Sequence, residues 1–182
     1  MAIKDEFFQN NVLSDFIALI SRNYILDWEH NVSFGDEIIS SLETKSIKLK
    51  YLLHLKRGDV LCLLIDSEET DLALFPVVWL GAEGIPHNAT AFNFFDFLQL
   101  SYYGSGLLYD LNSVCFDYCQ DKNLPDPEII YNDERIKYSV ENFTTKEQNY
   151  QLLLDWLKSK RIDIMPNPVQ YIKKVAISIP IV

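Results

Sequence analysis

Residues 47–65, IKLKYLLHLKRGDVLCLLI, carry the pattern that decides the fold. From residue 47 to 55 apolar side chains alternate with a largely basic set, as in a β-strand with one face in the core. Gly58 and Asp59 then favour a tight reversal, because glycine tolerates positive φ. Residues 60–65 are apolar without interruption, which is typical of a central strand buried on both faces. The stretch therefore predicts a β-hairpin inside a larger sheet.

Helix and strand signals flank this hairpin. Residues 5–22 place apolar side chains three and four apart, which predicts an amphipathic helix. Ser33, followed by two acids, predicts a cap opening a short helix to about residue 43. Residues 72–80 predict the next strand, and Thr90 lies in a short extended piece.

The second half of the chain is predicted to be mostly helical. Asn93 is a cap for a helix that Gly104 ends. Overlapping capping boxes at Thr144 and Thr145 predict another helix start. The remaining predictions are a helix over residues 107–119, an irregular arm over 121–136, continuation of the Thr144 helix to about 161, a short helix from Pro168 and an extended apolar tail over 175–182.

These signals together predict an α+β fold with a mostly antiparallel sheet, N-terminal helices, and helices packed on one side and at the C-terminus. Its 182 residues fit one domain, 1–182, with residues 105–182 as a candidate C-terminal helical extension. Such a length needs no disulfide or metal to fold. The three cysteines are interpreted as structural thiols: Cys62, Cys115 and Cys119.

Several classes of function find no support in the residues. The histidines, His30, His54 and His87, belong to no recognisable base–nucleophile pattern, and no phosphate-binding or metal motif occurs. We therefore expect neither catalysis nor a cofactor. The basic strand face and the C-terminal bases are the only candidates for nucleic-acid contacts, and both are interpreted as solvated faces, so direct nucleic-acid binding is not expected. There is no apolar run of about 18 residues and no basic leader at the N-terminus, so cytoplasm is the expected location.

Charge is strongly segregated along the chain. Residues 59–134 hold fourteen acids and one base, Lys122, whereas residues 1–58 hold eight acids and seven bases, and residues 135–182 hold four acids and eight bases. The three segments thus carry −1, −13 and +4 in the order 1–58, 59–134 and 135–182, for a total of −10. Such segregation indicates either a basic partner or a solvated acidic surface that keeps the protein soluble.

An ordered series of motifs over residues 50–104 resembles the SUKH superfamily. Its members are GDVLCL at 58–63, FPVVWLGAEG at 75–84 and AFNFFDFL at 91–98, and they are similar to that family's Gly-Asp turn, Pro-Val-Val strand and Phe-x-x-Phe-Leu helix. The resemblance implies a non-enzymatic binding fold. Bacterial members resemble immunity proteins, which cap a cognate toxin in the producing cell, and such toxins are often basic nucleases.

The expected function is therefore neutralisation of a basic toxin by occlusion. The expected contact residues are Asp66, Glu68, Glu69, Asp71 and Glu83. Tyr102 and Tyr103 are candidate aromatic anchors, although a core role is favoured for at least one of them. Two alternatives stay open: a regulatory scaffold with an unrelated partner, and an enzyme with an unrecognised carboxylate site.

Overall fold

The computed structural model describes residues 11–22, 37–42, 45–54, 59–65, 71–81, 86–146 and 150–179. Within these residues an antiparallel sheet is combined with helices that precede and follow it, which confirms the predicted α+β class. The elements are α1 (Asn11–Arg22), β1 (Glu37–Leu42), β2 (Lys45–His54), β3 (Val60–Leu64), β4 (Val77–Leu80), β5 (Pro86–Ala91), α2 (Phe94–Ser101), α3 (Gly104–Gln120), α4 (Pro127–Ile130), α5 (Asp133–Lys146), α6 (Tyr150–Ser159) and α7 (Pro168–Ser178).

The described strands form a meander in the order β1-β2-β3-β4-β5, with every neighbouring pair antiparallel. The predicted hairpin is β2–β3, in which Leu49 pairs with Leu64 and His54 with Val60. A register shift between Tyr51 and Leu53 interrupts the predicted alternation, because a bulge lets one strand hold an extra residue. Leu52 is fully buried, because the face on which alternation places it packs against a large core instead of facing solvent.

The sheet buries apolar side chains on both faces. One face presents Leu61, Leu63, Val77 and Trp79 to a large core shared with the helices. The other face forms a smaller core, to which α7 contributes Val175. Its remaining buried members are Leu49, Val60, Cys62, Val78, Leu80 and Ala89. Burial of β3 on both faces is confirmed, and helical packing is not restricted to one side of the sheet.

Aromatic rings join three helices above the larger core. The Phe16 ring of α1 lies 5.6 Å from Phe94 and 6.2 Å from Phe97, both in α2, and 5.6 Å from Trp156 in α6. Phe16, Phe94 and Phe97 are fully buried. Edge-to-face contacts of this kind contribute beyond the area they bury, so this cluster holds the N-terminal helix against the later ones.

Two carboxylates, those of the buried Asp59 and the half-buried Asp96, connect separate parts of the fold. Asn93 accepts a hydrogen bond from the Asp96 amide at 2.8 Å and thereby caps α2, as predicted. The Asp96 carboxylate accepts the Tyr171 hydroxyl of α7 at 2.7 Å, and that hydroxyl accepts the Phe92 amide at 3.0 Å. Asp59 accepts the indole N–H of Trp79 at 3.1 Å. These carboxylates therefore fix α7 and the hairpin rather than face a partner.

Two predictions in the first half were wrong in part. The helix expected from Ser33 to residue 43 is instead strand β1 over Glu37–Leu42, because pairing with β2 overrides the local cap signal. The strand expected over 72–80 is a short 3-10 turn at Leu72–Leu74 followed by β4, which begins after Pro76.

Three predictions in the second half need similar correction. The irregular arm over 121–136 contains α4 and the start of α5, and α5 begins at Asp133 rather than at Thr144. The tail from residue 175 is helical through Ser178, not extended, because Val169, Ile172, Val175 and Ala176 give α7 a continuous buried face. Helix α2 ends at Ser101, and Gly104, which adopts a φ of 78°, is the first residue of α3 rather than the end of α2.

Candidate protein-binding surface

Only one of the five predicted contact residues lies in the part of the chain that the structure describes. Asp66, Glu68, Glu69 and Glu83 lie outside the described residues. Asp71 is described, and its carboxylate accepts the Ala73 amide at 3.0 Å as the cap of the 3-10 turn. Asp71 therefore has a local structural role, whatever partner it faces.

The two candidate anchors at residues 102 and 103 lie in or against the core. Tyr103 is 8% exposed, and its hydroxyl donates to the carbonyl oxygen of Met165. Tyr102 is half-buried, with its ring 5.3 Å from Tyr103 and 6.0 Å from Tyr150. The favoured core role is confirmed for Tyr103, which is therefore a poor candidate for a contact with a partner, whereas Tyr102 packs only partly against the same core.

The acids that reach solvent in the described part of the acidic segment belong to α3, α5 and the chain between them. Asp110 and Asp117 are seven residues apart and therefore lie on one side of α3. We call five exposed residues the acidic surface: Asp110, Asp117, Asp121, Glu128 and Glu134. Side chains of one sign spread over neighbouring helices give a broad negative field.

Residues 121–132, the part of the predicted arm that precedes α5, connect α3 to α5 and are shaped by side-chain caps; we call this part the arm from here on. The Asp121 carboxylate accepts the Asn123 amide at 2.9 Å, which makes a tight turn. Asp126 accepts the Glu128 amide at 3.0 Å and caps α4, with Pro127 in the first turn. Asn132 accepts the Arg135 amide at 3.0 Å at the start of α5. The arm is thus a defined structure that holds its acids in fixed positions.

Lys173 of α7 binds the arm through two carboxylates. Its ammonium donates to Asp126 at 2.5 Å and to Glu128 at 3.1 Å, and it lies 5.3 Å from the centre of the Tyr118 ring. These contacts hold the pKa of Asp126 below its usual value and raise the pKa of Lys173. A base from the C-terminal segment therefore neutralises part of the negative field, at Asp126 and Glu128. We call three other members of the acidic surface the outlying acids: Asp117, Asp121 and Glu134.

Replacing Lys173 with methionine should loosen the arm. We expect the amides of Ile130 and Tyr131, which donate to Asp126 and Pro127 carbonyls, to exchange with deuterium up to about fivefold faster, because an ion pair near the surface is weak. Amide exchange followed by NMR measures this. Lys174→Met, which removes the same charge from the adjacent position, is the control and should leave both amides unchanged.

The same contact has a defined pH dependence. Because the folded state lowers the pKa of Asp126, its stabilisation is complete above the ordinary value of 3.8 and disappears as the pH falls through the lower folded value. Wild-type exchange should therefore approach that of Lys173→Met only in strong acid. Equal exchange of the two proteins at neutral pH would contradict the role given to Lys173.

Exposed apolar side chains accompany these acids. Ile129 of α4 is 75% exposed, Tyr138 of α5 is 70% exposed and Leu124 of the arm is 41% exposed. Protein interfaces favour large apolar and aromatic side chains at their centre and polar groups at the rim. Leu124 and Ile129 lie in the segment predicted to be irregular, which carries no sequence signal for their exposure. For Tyr138, the helix start at Asn132-Asp133-Glu134 is the signal that could have placed it.

The described residues offer little reactive chemistry. No group of three or more metal-ligating side chains occurs among them. Burial raises the pKa of the Cys62 thiol to about 12, and that of Cys115 also to about 12, so neither is a ready thiolate at neutral pH. Within the same residues, no helix is long and apolar enough to cross a membrane.

Comparisons with protein-family models, with curated proteins and with solved structures found no match to this chain. The resemblance to the SUKH superfamily therefore stays a prediction from its motifs. Of these motifs, the Gly-Asp pair precedes β3, the Pro-Val-Val segment enters β4 and the aromatic series forms the start of α2.

Proposed function

We propose that this chain is an immunity-type protein that binds a basic bacterial toxin in the cytoplasm and blocks it by covering its functional surface. The observation that carries the proposal is the combination, on the arm and the adjoining helices, of exposed acids with exposed Ile129 and Tyr138. Acids alone would also suit a solvated surface, whereas large exposed apolar side chains among them favour a binding role.

Electrostatics would determine how fast the two proteins meet. The chain has a net charge of −10, and its outlying acids Asp117, Asp121 and Glu134 belong to the most acidic segment. A negative field of this kind steers a basic protein and raises association rates by about 10- to 1,000-fold at low salt. Rapid capture suits an inhibitor that must act before the toxin damages its producer.

Apolar contacts would determine how long the complex lasts. Ile129 occupies a helix that Pro127 and the Asp126 cap hold in place, so its side chain is presented with little freedom of the backbone. Preorganisation lowers the entropy cost of binding, and a few such residues commonly supply most of the affinity. Ile129 and Tyr138 are the best candidates for this role.

The first test is capture of the product of the neighbouring gene. Co-expression in bacteria should yield a complex that co-purifies, and the chain should protect cells in which that product alone stops growth. Ile129→Ala should weaken the complex by about tenfold or more, the loss typical of an interface centre. Ile177→Ala is the matched control, since Ile177 is also exposed, at 53%, but lies on α7.

Two results would contradict the proposal. Failure of the wild-type chain both to bind and to protect would exclude immunity towards that product. Equal losses from Ile129→Ala and Ile177→Ala would show that the arm has no special part in binding. Capture without protection would instead favour the regulatory scaffold.

A further inference from the structure

A groove lies between α3 and α5 and opens beside the arm. It has a volume of about 640 Å³. Leu107 and Asp110 line it from α3, Tyr131 from the arm, and Glu134 and Tyr138 from α5. A cavity of this size accommodates a long side chain with room for water.

The lining combines two kinds of group that attract the same class of ligand. Tyr138 is largely exposed and Tyr131 half-buried, so both rings border the groove, while the half-buried Leu107 adds apolar surface. Asp110 and Glu134 are exposed carboxylates from opposite helices. Aromatic faces attract cations, and carboxylates bind the planar guanidinium through paired hydrogen bonds.

The chain's own cation at this place has a different role. Arg135 also borders the groove, but its Nη1 donates to the carbonyl of Ile130 at 3.0 Å, which fastens the arm to α5. Burial raises the pKa of Tyr131, and the nearby Asp110 carboxylate raises it further, whereas Arg135 acts in the opposite direction.

We infer that this groove binds the side chain of an arginine presented by the basic partner, an inference that rests on the proposed function for the partner's identity. The arginine stem would lie against Leu107 and the tyrosine rings, and its guanidinium would pair with Asp110 and Glu134. Arginine suits the site better than lysine because its flat group can stack and pair at once. This arginine would fix the orientation of the complex, beside the apolar contacts of the arm.

A small probe tests the groove without any toxin. N-acetylarginine amide, titrated into the 15N-labelled chain, should shift amide signals of residues around the groove, with saturation in the millimolar range. N-acetylcitrulline amide, which has the same shape without the charge, should shift them little. The double variant Asp110→Asn/Glu134→Gln should bind the arginine probe about three- to tenfold more weakly, whereas Asp155→Asn/Asp163→Asn, at exposed acids elsewhere, should not.

Equal responses to the two probes, or shifts that grow linearly and spread over the surface, would overturn the inference. Binding to the neighbouring gene's product separates it from the proposed function. If the wild-type chain captures that product and the Asp110→Asn/Glu134→Gln variant does so equally well, the arginine site is wrong and the immunity proposal stands. If capture fails but the arginine probe saturates selectively, the immunity proposal fails and the cation site stands.

Discussion

Replacing Phe97 with alanine should lower the free energy of unfolding by about 3–5 kcal/mol, the cost typical of removing a fully buried phenylalanine. The Phe97 side chain is completely buried and contacts Phe16 and Phe94, at 6.2 and 6.0 Å between ring centres. The cavity would lie where α1 meets α2, and packing relaxes only in part. Urea unfolding followed by circular dichroism measures the loss.

Phe95→Ala provides the matched comparison. Phe95 is in the same helix but only half-buried, so we expect its loss to be clearly smaller. Similar values for the two variants would show that burial in the aromatic cluster does not determine stability here. If Phe97→Ala lowers the free energy of unfolding by less than about 1 kcal/mol, the aromatic cluster is not what holds α1 against α2.

The parts of the fold that could be predicted depend on local signals. The β2–β3 hairpin follows from alternation, a glycine turn and an uninterrupted apolar run, all within residues 47–65. The start of α2 follows from Asn93 and Asp96, three residues apart. In both cases the residues that specify the structure are neighbours in the chain, so no tertiary information was needed.

The elements that the sequence predicts wrongly depend on contacts with residues distant in the chain. Strand β1 exists through its pairing with β2, and neither Ser33 nor its neighbouring acids reveals that pairing. The bulge after Tyr51 is likewise a property of the paired strands, and Leu52 is buried because a core packs against its face of the sheet. Residues 175–178 are helical because they continue the buried face of α7, which is visible only when the segment is taken together with residues 168–174.

The candidate surface was likewise predictable only where neighbouring residues specify it. Counting charges located the acidic segment, but could not separate Asp59 and Asp96, which bind Trp79 and Tyr171, from the exposed Asp117. Nor could it foresee Lys173, 47 residues after Asp126, as the base that pairs with Asp126 and Glu128. Because such pairs are distant in the sequence, counting charges does not reveal them. Fewer acids of the acidic segment are therefore free of structural contacts, and able to attract a basic partner, than the composition suggests.

Reversing two outlying acids, Asp117→Lys with Glu134→Lys, should slow association with a basic partner by about tenfold or more at low salt. The variant raises the net charge from −10 to −6, since each reversal adds two units. Steering acts on encounter, so dissociation should change much less, and the association rate should depend less on salt. Surface plasmon resonance against the captured neighbouring-gene product, at several ionic strengths, measures both rates.

Two variants with the same net charge show which acids face the partner. Asp155→Lys with Asp163→Lys alters exposed acids of the C-terminal segment and should slow association far less at 0.1 M salt, where the Debye length is about 10 Å and only nearby charges steer the partner. Glu68→Lys with Glu69→Lys tests the loop chosen from the sequence.

If the loop variant slows association and the α3–α5 variant does not, the partner binds at the loop and not at the arm. If all three are equally slow, only total charge matters and no oriented surface is needed. A loss confined to the α3–α5 pair would place the partner against the arm, since only local charges distinguish proteins of equal net charge.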